Sequence, residues 1–212
     1  MKSLNKILIF IILMGLISPS LNLQAAETMP GQAIRGGGQS AAAVASAAKI
    51  AASLTVDTLT GGVAAVVGCD NPKMQSGSSH LIMVKELIKN DVLVVQTGCS
   101  AISCAKAGLL KPESAFEFAG KGLQEICEAV GIPPVLHLGS CVDNSRILIA
   151  CCEMVKEGGI GNDLSELPVA GAAPEWMSEK AIAIGWYVVA SGIFVVFGNP
   201  LPVMGSKNME KF

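Results

Sequence analysis

The chain has 212 residues, of which 51% are hydrophobic and 4% aromatic, and it carries a net charge of −2. This length holds one domain, alone or behind a leader, with enough apolar material for a sizeable core. With no basic stripe and no block of like charge, the composition speaks against nucleic acid as a partner and against an interaction tail.

Residues 1–26 read as a secretory signal or a membrane anchor. Lys2 and Lys6 form a charged start, and Ile7 to Ile17 is an apolar run too short for a comfortable span. Pro19 breaks that run, and Leu23-Gln24-Ala25-Ala26 offers small residues for cleavage. Residues 27–60 read as an Ala/Gly-rich linker or weak helix. Gly36-Gly37-Gly38 within it is not a phosphate loop, because no strand leads in and no Gly-Lys-Ser/Thr follows.

From residue 61 the pattern is regular. Short Val- and Leu-rich runs predict strands over 62–67, 92–96, 135–138, 167–170 and 193–197. Helical patterns fall over 79–90, 100–110, 113–130, 144–157 and 175–190, with Pro174 placed in the first turn of the last. Gly131 stops the third as a C-terminal cap, and Asp143 or Asn144 caps the fourth. Alternation of strand and helix predicts an α/β, Rossmann-like, doubly wound parallel sheet of about five strands, with helices on both faces. The domain spans 61–206, and 207–212 form a tail.

One phrase recurs three times. An apolar run ends at glycine and then cysteine, giving Gly68-Cys69, Gly98-Cys99 and Gly139-Ser140-Cys141. In an open parallel sheet the carboxyl ends of the strands share one crevice, and ligands bind there. Cysteines at three such ends converge in space, although 30 and then 42 positions separate them in sequence (99−69, 141−99). Convergent thiolates suit zinc, copper(I) or an iron–sulfur cluster. Each cysteine is expected to precede a helix, whose N-terminus favours the anionic thiolate. Seven cysteines is an odd number, and no CxxC pair occurs, so neither a disulfide framework nor a zinc ribbon is indicated.

The other candidates are weaker. Cys127, Cys151 and Cys152 read as buried thiols, and Cys104 as one too unless it serves as a fourth ligand. His80 at a helix start and His137 in a strand are more often structural than ligating. Lys180 is expected two turns into the last helix, where a lysine is normally solvated. Because that helix follows a strand end of the same sheet, Lys180 could instead face the crevice and supply charge or a proton.

Several phrases together resemble one family. They are Val67-Gly68-Cys69-Asp70-Asn71-Pro72-Lys73, Lys85-Glu86-Leu87-Ile88-Lys89-Asn90-Asp91-Val92-Leu93-Val94 and Thr97-Gly98-Cys99, followed by Pro133 through Arg146 and by Ala173-Pro174-Glu175-Trp176-Met177-Ser178-Glu179-Lys180 through Gly185. From Gly61 to Ser206 the sequence resembles the C-terminal part of the anaerobic nickel–iron carbon monoxide dehydrogenase catalytic subunit. The resemblance implies oxidation of CO with water to CO2, two protons and two electrons at a nickel–iron–sulfur cluster. It implies Cys69, Cys99 and Cys141 as cluster ligands, Lys180 as the residue that hydrogen-bonds the bound carboxylate or assists proton transfer, and Ile184 as the apolar residue crowding the open nickel position.

It further implies a ferredoxin-like electron acceptor, a homodimer or a separate chain supplying further ligands, and a cytoplasmic location, against the export or anchoring that the leader suggests. The family's upstream ligands and its [4Fe-4S]-binding N-terminal cysteines have no counterpart among residues 1–60, so catalysis by this chain by itself is not expected. The rival expectations are a hybrid-cluster-type reductase and a non-enzymatic, exported or anchored metal-binding domain.

Overall fold

The computed structural model describes residues 33–35, 61–75, 77–157 and 161–198. The leader, the glycine triplet, the Ala41–Leu54 stretch and the 207–212 tail lie outside the described residues. Among those described, no helix is long and apolar enough to cross a membrane.

The strands are β1 (Ala33–Arg35), β2 (Val63–Val66), β3 (Leu93–Gln96), β4 (Val135–His137), β5 (Val169–Ala173) and β6 (Phe194–Phe197). The helices are α1 (Ser78–Lys89), α2 (Gly98–Lys106), α3 (Ser114–Phe118), α4 (Lys121–Val130), α5 (Asn144–Glu157) and α6 (Glu179–Ala190). All strand pairs are parallel, in the order β1-β6-β5-β2-β3-β4. Chain progress is therefore outward from β2 through β3 to β4, then back to the other side of β2 for β5 and on to β6. The reversal between β2 and β5 is the topological switch point of a doubly wound sheet. The sheet is one strand wider than expected, because β1 pairs with β6 from within the stretch read as linker.

Every residue of β3 is buried, which is why Leu93, Val94 and Val95 form a continuous apolar run rather than an alternating one. On β2 the side chains alternate in exposure, and Ala64 and Val66 enter the larger core with Met83, Leu87, Ile88, Leu123 and Ile126 from α1 and α4. The opposite face is covered by α5, through Ala150, Cys151 and Met154, and by α6, through Val188 and Val189. At 25 cal/mol per Å2, burying one such Leu or Ile contributes about 2 kcal/mol, so these two layers hold the strands in register.

Four expectations are corrected. The helix over 113–130 is two helices, α3 and α4, broken at Gly120. The Gly120 amide donates to the Ile88 carbonyl at 2.9 Å, and a Cβ there would collide with Asp91, so the chain must leave the helical path. The fourth strand is displaced from 167–170 to Val169–Ala173, because a 3-10 turn over Leu164–Glu166 occupies the approach. Pro174 does not start α6, which begins at Glu179 after an extended Ser178; residues 174 and 175 are instead buried beside the sheet end. The cap before α5 is Ser140, whose hydroxyl and amide both bond the Asp143 carboxylate, at 2.9 and 2.7 Å. Those bonds hold the Asp143 carboxyl below its ordinary pKa.

Candidate metal centre

Each of β2, β3 and β4 runs out into a glycine in the left-handed or extended positive-φ region, with φ of 117° at Gly68, 65° at Gly98 and 120° at Gly139. A side-chain-bearing residue adopts such angles only at a cost, so glycine is what lets the chain turn sharply at the strand end. The cysteine then follows beyond the carboxyl edge. β2, β3 and β4 are consecutive neighbours, each step being about 4.8 Å. Cys69, Cys99 and Cys141 therefore stand along one rim in the order of the chain.

The turns also touch each other. The Gly98 amide donates to the Gly139 carbonyl at 2.9 Å, and a Cβ on Gly98 would sit 3.4 Å from the Cys141 Cβ. Cys99 lies in the first turn of α2 and is exposed. Cys141 opens a 3-10 turn, Cys141–Asp143, that leads straight into α5, and it too is exposed. Cys69 differs from expectation. It is half-buried and does not precede a helix directly, because the Asn71-Pro72 turn and the rest of 70–77 separate it from α1.

Among the described residues, no three His, Cys, Asp or Glu side chains form a group that could hold a metal ion. A single zinc ion needs its sulfurs about 2.3 Å from one point. A multi-iron sulfide cluster takes its thiolates from separate points around its outside. Three soft donors at neighbouring strand ends are of the chemical type that such a cluster takes.

Two polar residues brace the Cys69 turn. His80, in the first turn of α1, is fully buried, and its Nε2 donates to the Cys69 carbonyl at 2.7 Å. Burial lowers its pKa, the Cys69 carbonyl and the nearby Glu175 and Asp70 charges offsetting only part of that, so the ring is read as neutral with its proton on Nε2. Glu175 is the residue that sequence reasoning missed. It lies in the β5–α6 connection at 0% exposure, and its two oxygens accept from the Asn71 amide at 3.3 Å and the Ser79 amide at 3.0 Å. The signal available was the phrase Pro174-Glu175-Trp176 right after a strand, but a glutamate there ordinarily reads as solvated.

Lys180 is exposed and sits in the first turn of α6, not two turns into it, because the helix starts later than expected. Ile184, one turn on, lines an apolar cleft of about 90 Å3 between α5 and α6. Ala65 and Gly171 form the cleft floor, and Gly68 and Asn144 line it at the rim. Ile184 and the Cys69 turn thus border one cavity. His137 is exposed at the end of β4, its Nε2 3.0 Å from the Gly139 carbonyl.

Of the remaining cysteines, Cys104, Cys127 and Cys151 are buried and Cys152 is half-buried. Cys104 is fully buried beside Gln96, and burial pushes its thiol up to about 11. The Gln96 amide makes no regular hydrogen bond, so the thiol is at most a weak partner for it. Burial likewise raises Cys127 to about 11 and Cys151 to about 12.

Fold and rim define the class: an α/β domain of doubly wound topology with a thiol-bearing carboxyl edge. Residues 39–212 match the Prismane/CO dehydrogenase family, and the chain belongs to that family. The match begins upstream of Gly61, so it includes part of the stretch read as linker. Carbon monoxide dehydrogenase 1 of Methanosarcina mazei is 59% identical over 156 residues, which are 72% of this chain and 24% of that protein. The carbon monoxide dehydrogenase of Rhodospirillum rubrum is 41% identical over 158 residues, 71% of this chain and 24% of that one. Among solved structures, a nickel-free carbon monoxide dehydrogenase from Thermococcus sp. AM4 superposes with a TM-score of 0.68 at 52% identity, covering 77% of this chain and 25% of its own. The chain spans about a quarter of the length of these relatives.

Proposed function

We propose that this chain is the thiolate-bearing α/β part of a nickel-dependent carbon monoxide dehydrogenase, serving CO + H2O → CO2 + 2 H+ + 2 e−. The observation that supports this best is the rim: three Gly-turned cysteines at the ends of three neighbouring strands. Cys69, Cys99 and Cys141 hold the cluster from one side, and its remaining ligands come from outside the described residues, on a second chain or a further length of polypeptide. A nickel–iron–sulfur cluster, when bound, supplies the redox centre for the two electrons and the Lewis acidity for CO and water. Lys180 would donate a hydrogen bond from Nζ to an anionic oxygen of the substrate and hold or release a proton there. Ile184 keeps the approach apolar and dry. Electrons leave to a ferredoxin-like acceptor. The cytoplasm, where such clusters are assembled, is the proposed location.

The test is anaerobic expression, metal and sulfide analysis, and CO-dependent viologen reduction with and without the chain that supplies the other ligands. Iron, sulfide and nickel on the assembled protein, with turnover, support the reading. Zinc alone without turnover overturns it in favour of a metal-binding domain, and iron and sulfide without nickel or CO turnover favours a hybrid-cluster-type reductase. Lys180→Ala is expected to lower turnover by about a hundredfold or more while leaving metal content unchanged. Loss of metal from that variant would overturn the role given to Lys180.

A further inference from the structure

We infer that Glu175 is a positioning residue for the Cys69 thiol. Its buried carboxylate latches the segment after β2 to the segment after β5. The inference rests on Cys69 serving the cluster, but the latch itself stands on geometry alone.

The Cys69 turn and the β5–α6 connection meet at the switch point, where two neighbouring strands send their chains to opposite faces and no crossover holds the two ends together. Glu175 spans that gap. Oε2 accepts from the Asn71 amide and Oε1 from the Ser79 amide, bracketing the whole segment between Cys69 and α1. The bonds link positions 104 and 96 apart in the chain. Around them the segment is tied further. The Asn71 side-chain amide reaches the Trp176 carbonyl at 3.5 Å, the Gly77 amide donates to Asp70 Oδ1 at 3.2 Å, and His80 donates to the Cys69 carbonyl at 2.7 Å. Cys69 thus has its carbonyl fixed by His80 and its following loop fixed by Glu175.

The chemistry explains why a carboxylate stands here. Two backbone N–H groups aim at one side chain, and only a carboxylate offers an acceptor to each. Glutamine keeps the shape but turns an NH2 toward one of them, leaving that donor unsatisfied in a dry site. Cys99 and Cys141 have no part in the latch: they sit on α2 and on the 3-10 turn before α5, and their turns bond each other. Loss of the latch should therefore loosen one thiol out of three. The segment that carries Glu175 also leads into Lys180, so the same carboxylate sets Cys69 and the start of α6 relative to each other.

The test uses the full chain without metal. Site-resolved alkylation by iodoacetamide is followed by mass spectrometry, together with amide hydrogen exchange. In Glu175→Gln, alkylation of Cys69 is expected to rise about tenfold, the factor that follows from losing one hydrogen bond to a charged group, with Cys99 and Cys141 unchanged. Glu175→Asp, which keeps both acceptors on a shorter arm, should recover part of that protection. No change at Cys69, or an equal rise at all three thiols, overturns the inference, since a merely structural role would loosen the rim evenly. Wild-type exchange gives a second check that needs no variant. The Asn71 and Ser79 amides should be protected like those of β3, and exchange at exposed-loop rates would overturn the latch. Iron content after anaerobic reconstitution separates the two readings. A wild-type chain that takes up no iron even together with the chain that supplies the other ligands counts against the proposed function and leaves the latch standing, whereas unchanged Cys69 reactivity in Glu175→Gln with full iron uptake by that assembly does the reverse.

Discussion

At the scale of single residues, the seven thiols divide by what surrounds them. Cys99 and Cys141 are exposed at the rim, while Cys104, Cys127 and Cys151 are buried in apolar surroundings that disfavour the thiolate. This division has a pH consequence. Cys151 has its pKa raised from 9.0 to about 12 in the folded chain, so the unfolded chain loses that proton first as pH rises. Between about pH 9 and pH 12 the folded state holds more protons than the unfolded one, and stability falls with pH; below pH 9 the contribution is fully present. Chemical denaturation measured across that window should show the fall, and Cys151→Ala should make it shallower, with Cys104 and Cys127 still contributing, at the cost of a small cavity.

The rim cysteines were legible in sequence because a glycine at a strand end and a following thiol are both local signals. Glu175 was not, because its partners are backbone amides, which leave no mark in the side-chain sequence, and they lie far away along the chain.

At the scale of elements, the strands and most helices followed from periodicity. Runs buried on both faces, such as Leu93–Gln96, can be read without knowing their neighbours. Where helices were misplaced, a tertiary contact overrode local preference. Gly120 reads as a tolerable interior glycine, yet the chain breaks there because Asp91 takes the space and caps α4 instead, its Oδ1 accepting from the Leu123 amide at 2.9 Å. Asp91 does this from a left-handed backbone, φ 62°, which Asp and Asn tolerate better than other side chains. Asp91→Ala should therefore cost about 2 kcal/mol, combining a lost cap with left-handed strain, and shift the urea midpoint down. Asp91→Asn keeps both properties and should cost much less. Pro174 was misplaced for a similar reason: its preference for a first helical turn is generic, but here it packs at the sheet end and the helix waits for Ser178.

At the scale of the molecule, α/β class, parallel pairing and helices on both faces followed from element order. The strand order did not, since no local rule says that β5 returns to β2 rather than continuing past β4. That return creates the switch point and brings Glu175 to the Cys69 turn. The short β1 could not be read at all, because three residues in an Ala/Gly-rich stretch carry no pattern and become a strand only against β6.

The return of β5 also orders events in time. β2, β3 and β4 are joined by short-range crossovers, and contacts between near neighbours in sequence form sooner than distant ones. The bonds from Glu175 close only after some 100 residues have been brought back, by way of β5, to the first strand of the set. Pulsed thiol labelling during refolding should find Cys69 the last of the rim thiols to reach its native reactivity. A chain growing from its N-terminus and halted before Val169 would hold all three rim cysteines with Cys69 still loose, so the order of the rim has to wait for a strand that carries none of its thiols.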